Sequence, residues 1–220
     1  MADDATGALE AGAILASLHV ETVVELEAGR TPLAQAQVLL IPTRHDSPAM
    51  ARKRVREVLA GLAHTHDAVI PPRLYWKTDS TLRGPIGACF DALISAFPGR
   101  PLVYIPAYPA MGRTVAGGVL RIDGVPLAQT AFAQDSRDPA RGSVVADVIA
   151  LDSRLPVAWI RSAGDLRRRL EIGGEEVLVC DAGTEAEVAE LVAECRDART
   201  APVVAGPAGG IASWAGDSGA

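Results

Sequence analysis

Aromatic residues are scarce; only 4% of the chain is Phe, Trp or Tyr. A protein that stacks nucleic-acid bases needs aromatic platforms, and these are too few to build them. Positive charge is not in excess either: 27 acidic residues against 21 basic ones leave a formal net charge of -6, which argues against general nucleic-acid binding. Cysteine is confined to Cys89, Cys180 and Cys195, an odd number without a C-x-x-C pair. These read as reduced core thiols of a cytoplasmic protein. No apolar run reaches bilayer-spanning length and no signal-like segment precedes the first acidic residues, so no membrane partner is expected. His64 and His66 stand two apart with no carboxylate or thiol at ligand spacing, and no metal site is expected. Lysine is nearly absent: Lys53 and Lys77 are the lysines of the chain.

What is present points to an α/β protein. The chain has 220 residues and is 49% hydrophobic, enough for one good core. Apolar runs at His19–Leu26, Gln37–Ile41, Leu74–Trp76, Leu102–Ile105, Val157–Ile160, Val177–Cys180 and Val203–Ala205 read as strands. A turn, Gly29 to Pro32, separates the first two. Helical stripes alternate with the strands, and Ser47, Ser143, Ser162 and Thr184 read as helix caps. Val119 to Leu127 around Asp123-Gly124 is a hairpin. Thr130 to Asp135 has no periodicity and reads as a loop. The expectation is a mostly parallel sheet sandwiched by helices, Rossmann-like in three layers, with one β-hairpin.

The informative segments are loops. Lys77-Thr78-Asp79-Ser80-Thr81-Leu82-Arg83-Gly84 joins a strand end to a helix with Pro85 at its first position. In α/β proteins such loops hold ligands beyond the carboxyl ends of the strands. A capped βα turn would also be polar, but Lys77 stands at the mouth of an apolar strand, where its ammonium suits an oxygen-rich ligand. Pro106 to Thr114 is a stiff loop that presents Arg113 beside Gly112, expected on the same sheet edge. At the amino end, Asp3-Asp4-Ala5-Thr6-Gly7-Ala8 reads as a helix entry capped by Asp4 or Thr6. A strand normally precedes such a loop and is missing. Gly206, Gly209 and Gly210 form a glycine loop that could hold a phosphate, although it matches neither G-x-x-x-x-G-K-[ST] nor G-x-G-x-x-G.

Taken together, three loops resemble the four-carbon acid sugar kinases. Asp3 to Ala8 is similar to that family's A-D-D-x-T-G-A opening, Lys77 to Gly84 to its K-x-D-S-T-x-R-G, and Pro106 to Thr114 to its P-A-x-P-x-x-G-R-T. Fainter likenesses follow at Thr130-x-Phe132-Ala133-x-Asp135 and Ala205 to Gly209. The resemblance implies carbohydrate metabolism: an ATP-dependent kinase of threonate, erythronate or an oxo-tetronate, using ATP and Mg²⁺ bound mostly outside this chain. It implies that residues 1–214 are the substrate-binding domain and 215–220 a tail. The partner would be a carboxy-terminal nucleotide-binding domain, in cis or in trans, and the chain alone would be inactive.

For a small anionic sugar acid, Arg83 and Arg113 can each grip a carboxylate through two hydrogen bonds and Lys77 can add a third contact. Asp3, Asp79 and Ser80 complete the expected substrate contacts. Phosphoryl transfer asks for a carboxylate near the attacking hydroxyl, and Asp4 and Asp79 both stand as candidate catalytic bases. Two rivals are a non-enzymatic sugar-acid binding module from a truncated gene and a haloacid-dehalogenase-like phosphatase. The phosphatase would need Asp-x-Asp, whereas Asp3 and Asp4 are adjacent.

Overall fold

The computed structural model describes residues 1–26, 34–65 and 73–216. The turn expected at 29–32, His66 with the side chain of His64, and residues 217–220 of the expected tail lie outside the described residues.

The chain opens with α1 (Ala5–Ser17), β1 (Thr22–Glu25) and β2 (Ala36–Leu39). Next come α2 (Pro48–Thr65), β3 (Tyr75–Lys77), α3 (Ile86–Ala96) and β4 (Leu102–Tyr104). Three short antiparallel strands follow, β5 (Arg113–Ala116), β6 (Val119–Ile122) and β7 (Val125–Pro126), and then α4 (Val145–Ala150). Regular alternation finishes the chain: β8 (Val157–Ile160), α5 (Ala163–Ile172), β9 (Val177–Cys180), α6 (Glu185–Asp197), β10 (Val203–Gly206) and α7 (Ile211–Ala215).

The main sheet is parallel, in the order β3-β10-β4-β9-β8. Every residue of β4, β9 and β10 is buried, which is why each reads as an unbroken apolar run. The last strand inserts between β3 and β4, so the loops after those two strands leave the same sheet edge with one strand between them. Helices cover the sheet in two groups. One is α2, α3 and α4; the other runs α5, α6, α7, α1. On the first side Phe90 of α3 meets Tyr104 of β4 edge-on, ring centres 5.0 Å apart.

At the amino end, Met1 to Asp3 run between β2 and β3. Ala2 pairs in parallel with Leu40 on one side and Lys77 on the other. The Ala2 amide donates to Leu39 at 2.9 Å, and the Lys77 amide donates to the Met1 carbonyl at 2.8 Å. This short stretch joins the β1–β2 pair to the main sheet and directs Asp3 and Asp4 to the edge where β3 ends.

Several local expectations are corrected. His19 is not in a strand; it turns the chain after α1 at φ 58. Pro85 stands one residue before α3 rather than inside it. Ser143 does not cap α4: its hydroxyl accepts the Ala128 amide at 2.7 Å, and α4 begins without a side-chain cap. The hairpin gains a third strand, because Arg113 to Ala116 pair with β6. The stretch around Thr130 is two 3-10 turns, Leu127–Gln129 and Ala131–Gln134.

Candidate functional site

A cleft of about 310 Å³ opens at the carboxyl edge of the sheet. It lies at the small end of ligand pockets, which span ~300–1,000 Å³. Asp4, Lys77, Asp79, Ser80, Arg83 and Arg113, all singled out from sequence, share its wall. Asp3 does not. It is 6% exposed and sits beneath the cleft, because the backbone stretch that carries it is clamped between β2 and β3. Its Oδ2 accepts the Asp79 amide at 3.1 Å, so it supports the loop rather than facing a ligand.

Asp79 is the hub of the central loop. Its carboxylate accepts from the Thr81 amide and hydroxyl at 3.0 and 2.6 Å and from the Arg83 amide at 3.3 Å. Arg83 grips it side-on, Nε at 2.9 Å and Nη2 at 3.0 Å, and Arg44 Nη1 stands 3.0 Å from Oδ1. Burial alone would raise this carboxyl's pKa; the arginines and Thr81 outweigh it and hold it down at about 2. Both oxygens are thus committed to protein donors, which is poor equipment for a base. These bonds also hold the turn in which Leu82, a buried non-glycine residue, sits at φ 55. Such backbone costs of order 1–3 kcal/mol and persists where surroundings enforce it.

Asp4 is arranged differently. As N-cap of α1 it accepts the Gly7 amide through Oδ1 at 2.5 Å, and Oδ2 accepts from Arg44 Nη1 at 2.7 Å. A carboxylate offers about four lone-pair sites, so Asp4 retains capacity on the cleft side. Asp3, by contrast, is pushed up to about 7, first by burial and against the pull of Lys77, and its Oδ1 is buried without a hydrogen-bond partner.

Arg44 was missed in the sequence. It follows β2 on the same sheet edge and bridges three segments, reaching Asp4, Asp79 and, through Nε at 2.9 Å, Asp138. The available signal was positional: Thr43-Arg44 occupies the strand-to-helix loop before the Ser47 cap, just as Lys77 to Gly84 does before α3. Glu10 was also missed; its carboxylate lies 3.6 Å from the Lys77 ammonium, in the second turn of α1.

The remaining cations are less encumbered. Lys77 is only 7% exposed but lines the cleft. Arg113 donates through Nη1 to the Met111 carbonyl at 2.6 Å, while its Nε is buried and unpaired. The lining sets Arg44, Lys77, Arg83 and Arg113 together at one edge; Asp4, Asp79 and Asp138 engage Arg44 and Arg83, which leaves Lys77 and Arg113 as the cations least engaged by protein carboxylates.

The glycines at the end of β10 and in the loop after it pack closely against protein. A Cβ on Gly206 would meet the Ile105 carbonyl at 2.5 Å, on Gly209 the Tyr108 ring at 2.7 Å, and on Gly210 the Tyr75 hydroxyl at 2.7 Å. These glycines admit neighbouring backbone and tyrosines; the loop presents Pro207 and Ala208 to the cleft instead. Among the described residues no group of His, Cys, Asp and Glu could hold a metal ion. No helix of the described residues is long and apolar enough to cross a membrane.

Comparison with known proteins adds three findings. Residues 1–214 match the family described as "Sugar-binding N-terminal domain". The chain is 34% identical to the D-threonate kinase of Salmonella typhimurium over 218 residues, 95% of this chain and 51% of that one, and 30% identical to the D-erythronate kinase of Heliobacterium modesticaldum, over 86% and 45%. It thus spans about half the length of these curated relatives. A crystal structure of a domain of unknown function from Bordetella bronchiseptica, a domain-swapped dimer with bound citrate, superposes at TM-score 0.84 and 27% identity, covering 97% of this chain and 55% of that one.

Proposed function

The chain belongs to the family of sugar-binding N-terminal domains, and we infer that its cleft holds the substrate of a four-carbon acid sugar kinase. The observation that carries this reading is the convergence of four cations, Lys77, Arg44, Arg83 and Arg113, on a cleft of about 310 Å³, with Lys77 and Arg113 the least engaged by protein carboxylates. Relatives named as threonate and erythronate kinases support the substrate class.

Arg113 and Lys77 are the carboxylate's partners, since neither has its donors saturated by a protein carboxylate at short range. Arg83 takes a lesser share, because its side edge is committed to Asp79. Ser80 and Asp4 face the hydroxyls. Of the two candidate bases, Asp4 is the one to receive a hydroxyl proton, with Asp79 as a positioning residue behind it. When bound, MgATP would supply the phosphoryl group, its site lying mostly in a nucleotide-binding partner domain, in cis or in trans.

Calorimetry tests the reading. D-threonate and D-erythronate should bind with comparable heats, and the neutral polyol threitol should not; equal binding of threitol would overturn the charge argument. In an ADP-release assay with MgATP and threonate, the chain alone should show no turnover. Turnover by the chain alone would mean that a nucleotide site within it has been overlooked.

A further inference from the structure

We propose that Phe132 is a positioning residue of the anion pocket, an aromatic platform that holds the guanidinium groups of Arg83 and Arg113 at a fixed spacing. The guanidinium carbons stand 5.9 Å and 5.8 Å from the centre of the same ring, within the range over which a cation is attracted to an aromatic face. Arg83 comes from the loop after β3, and Arg113 from the start of β5, so no secondary-structure element holds the two together. The ring does.

The platform is itself anchored. The Ala140 amide donates to the Phe132 carbonyl at 2.8 Å, and the Ala133 amide to the Thr130 carbonyl at 3.1 Å, closing the 3-10 turn that carries the ring. Asp138, on the same segment, accepts from Arg44 Nε at 2.9 Å. One outer segment thus braces three of the four cations of the cleft.

The choice of an aromatic brace has a chemical reason. A carboxylate in its place would pair with the arginines and cancel the field that a ligand anion needs. A phenyl face attracts a guanidinium without neutralising it and leaves its N–H edges free. Arg113 depends on this most: its guanidinium donates to the Met111 carbonyl, and among the described residues its buried Nε has no hydrogen-bond partner. Phe132 therefore acts on ligand affinity through the arginines.

The role rests on the sugar-acid reading above, so the test has one arm that needs no ligand. Phe132→Leu, which keeps apolar bulk without the ring, should weaken D-threonate binding roughly fivefold or more by calorimetry, whereas Phe132→Tyr should stay within about twofold of the parent. In ligand-free protein, the side-chain Nε–H resonances of Arg83 and Arg113 should be ring-current shifted in the parent and in Phe132→Tyr, and lose that shift in Phe132→Leu. Phe132→Met supplies the same comparison if Phe132→Leu does not fold. Unchanged arginine resonances in the leucine or methionine variant overturn the proposal, as does equal loss of affinity in the tyrosine and leucine variants. If the parent binds no sugar acid, the sugar-acid reading fails, and the resonances alone decide the platform.

Discussion

The side chain of Lys77 lies directly against the backbone of Gly7: a Cβ on Gly7 would come within 2.3 Å of the ammonium nitrogen and 2.8 Å of the two carbons before it. Glycine at this helical position costs stability, roughly 0.5–1 kcal/mol relative to alanine. The vacant Cβ position is what lets a buried ammonium reach the cleft wall.

Gly7→Ala should therefore separate stability from binding. The gain in helix propensity offsets the strain of moving a flexible side chain, so unfolding free energy should change by less than about 1 kcal/mol. Sugar-acid affinity should drop about tenfold, because the ammonium is displaced. Urea denaturation and calorimetry on the same protein check both; retained affinity would show that Lys77 does not contact the ligand.

Arg83→Ala and Arg113→Ala should differ. Losing Arg83 leaves buried Asp79 with fewer partners and should cost about 2 kcal/mol of stability as well as affinity. Losing Arg113 removes no partner of a protein carboxylate and should cost mainly affinity, about 1.5–3 kcal/mol, the worth of a charged hydrogen bond. Chemical denaturation beside calorimetry gives the comparison, and equal destabilisation by the two variants would contradict it.

Asp3 and Asp79 make opposite contributions to pH dependence. Asp3 has a folded pKa of about 7 against an ordinary 3.8, so between those values the native state keeps a proton that the unfolded chain has released. Its contribution to stability falls as pH rises from about 4 to about 7. Asp79, held down at about 2, contributes fully above about pH 4 and loses that contribution as pH falls toward 2. Asp3→Asn mimics the protonated carboxyl and keeps an acceptor for the Asp79 amide. It should become more stable relative to the parent as pH rises from 4 to 7, by roughly 1–3 kcal/mol. Parallel stability curves for the two proteins would show that Asp3 is ionised in the fold.

Gly206→Ala should destabilise by about 1–3 kcal/mol, since its Cβ would strike the Ile105 carbonyl where β10 and the end of β4 lie side by side at the carboxyl edge of the sheet. Phosphate at millimolar concentration should stabilise the parent no more than it stabilises this variant. Phosphate protection confined to the parent would identify the glycine loop as an anion site.

Strand and helix order was legible in the sequence because alternating apolar runs and capped stripes are local signals. Thr184 with Glu187 forms a complete capping box, and Ser162 accepts the Asp165 amide at 3.2 Å. The loops with chemical content were legible too, because Lys77, Arg83 and Arg113 stand where strands end. What a residue faces was not legible. Adjacent aspartates look equivalent in a sequence, yet one peptide unit turns Asp3 under the sheet edge and Asp4 into the cleft.

The sequence by itself determined the alternation of elements, the burial of the central strands and the presence of polar loops at strand ends, since each depends on neighbours within a few residues. Only the tertiary structure decided that β10 inserts between β3 and β4, that Arg44 joins Asp4, Asp79 and Asp138, and that Phe132 spans Arg83 and Arg113. Those relations link residues tens of positions apart. They arise when burying the apolar faces of the sheet brings the loop ends to one edge, and there opposite charges are close enough to pair in a medium less screening than water.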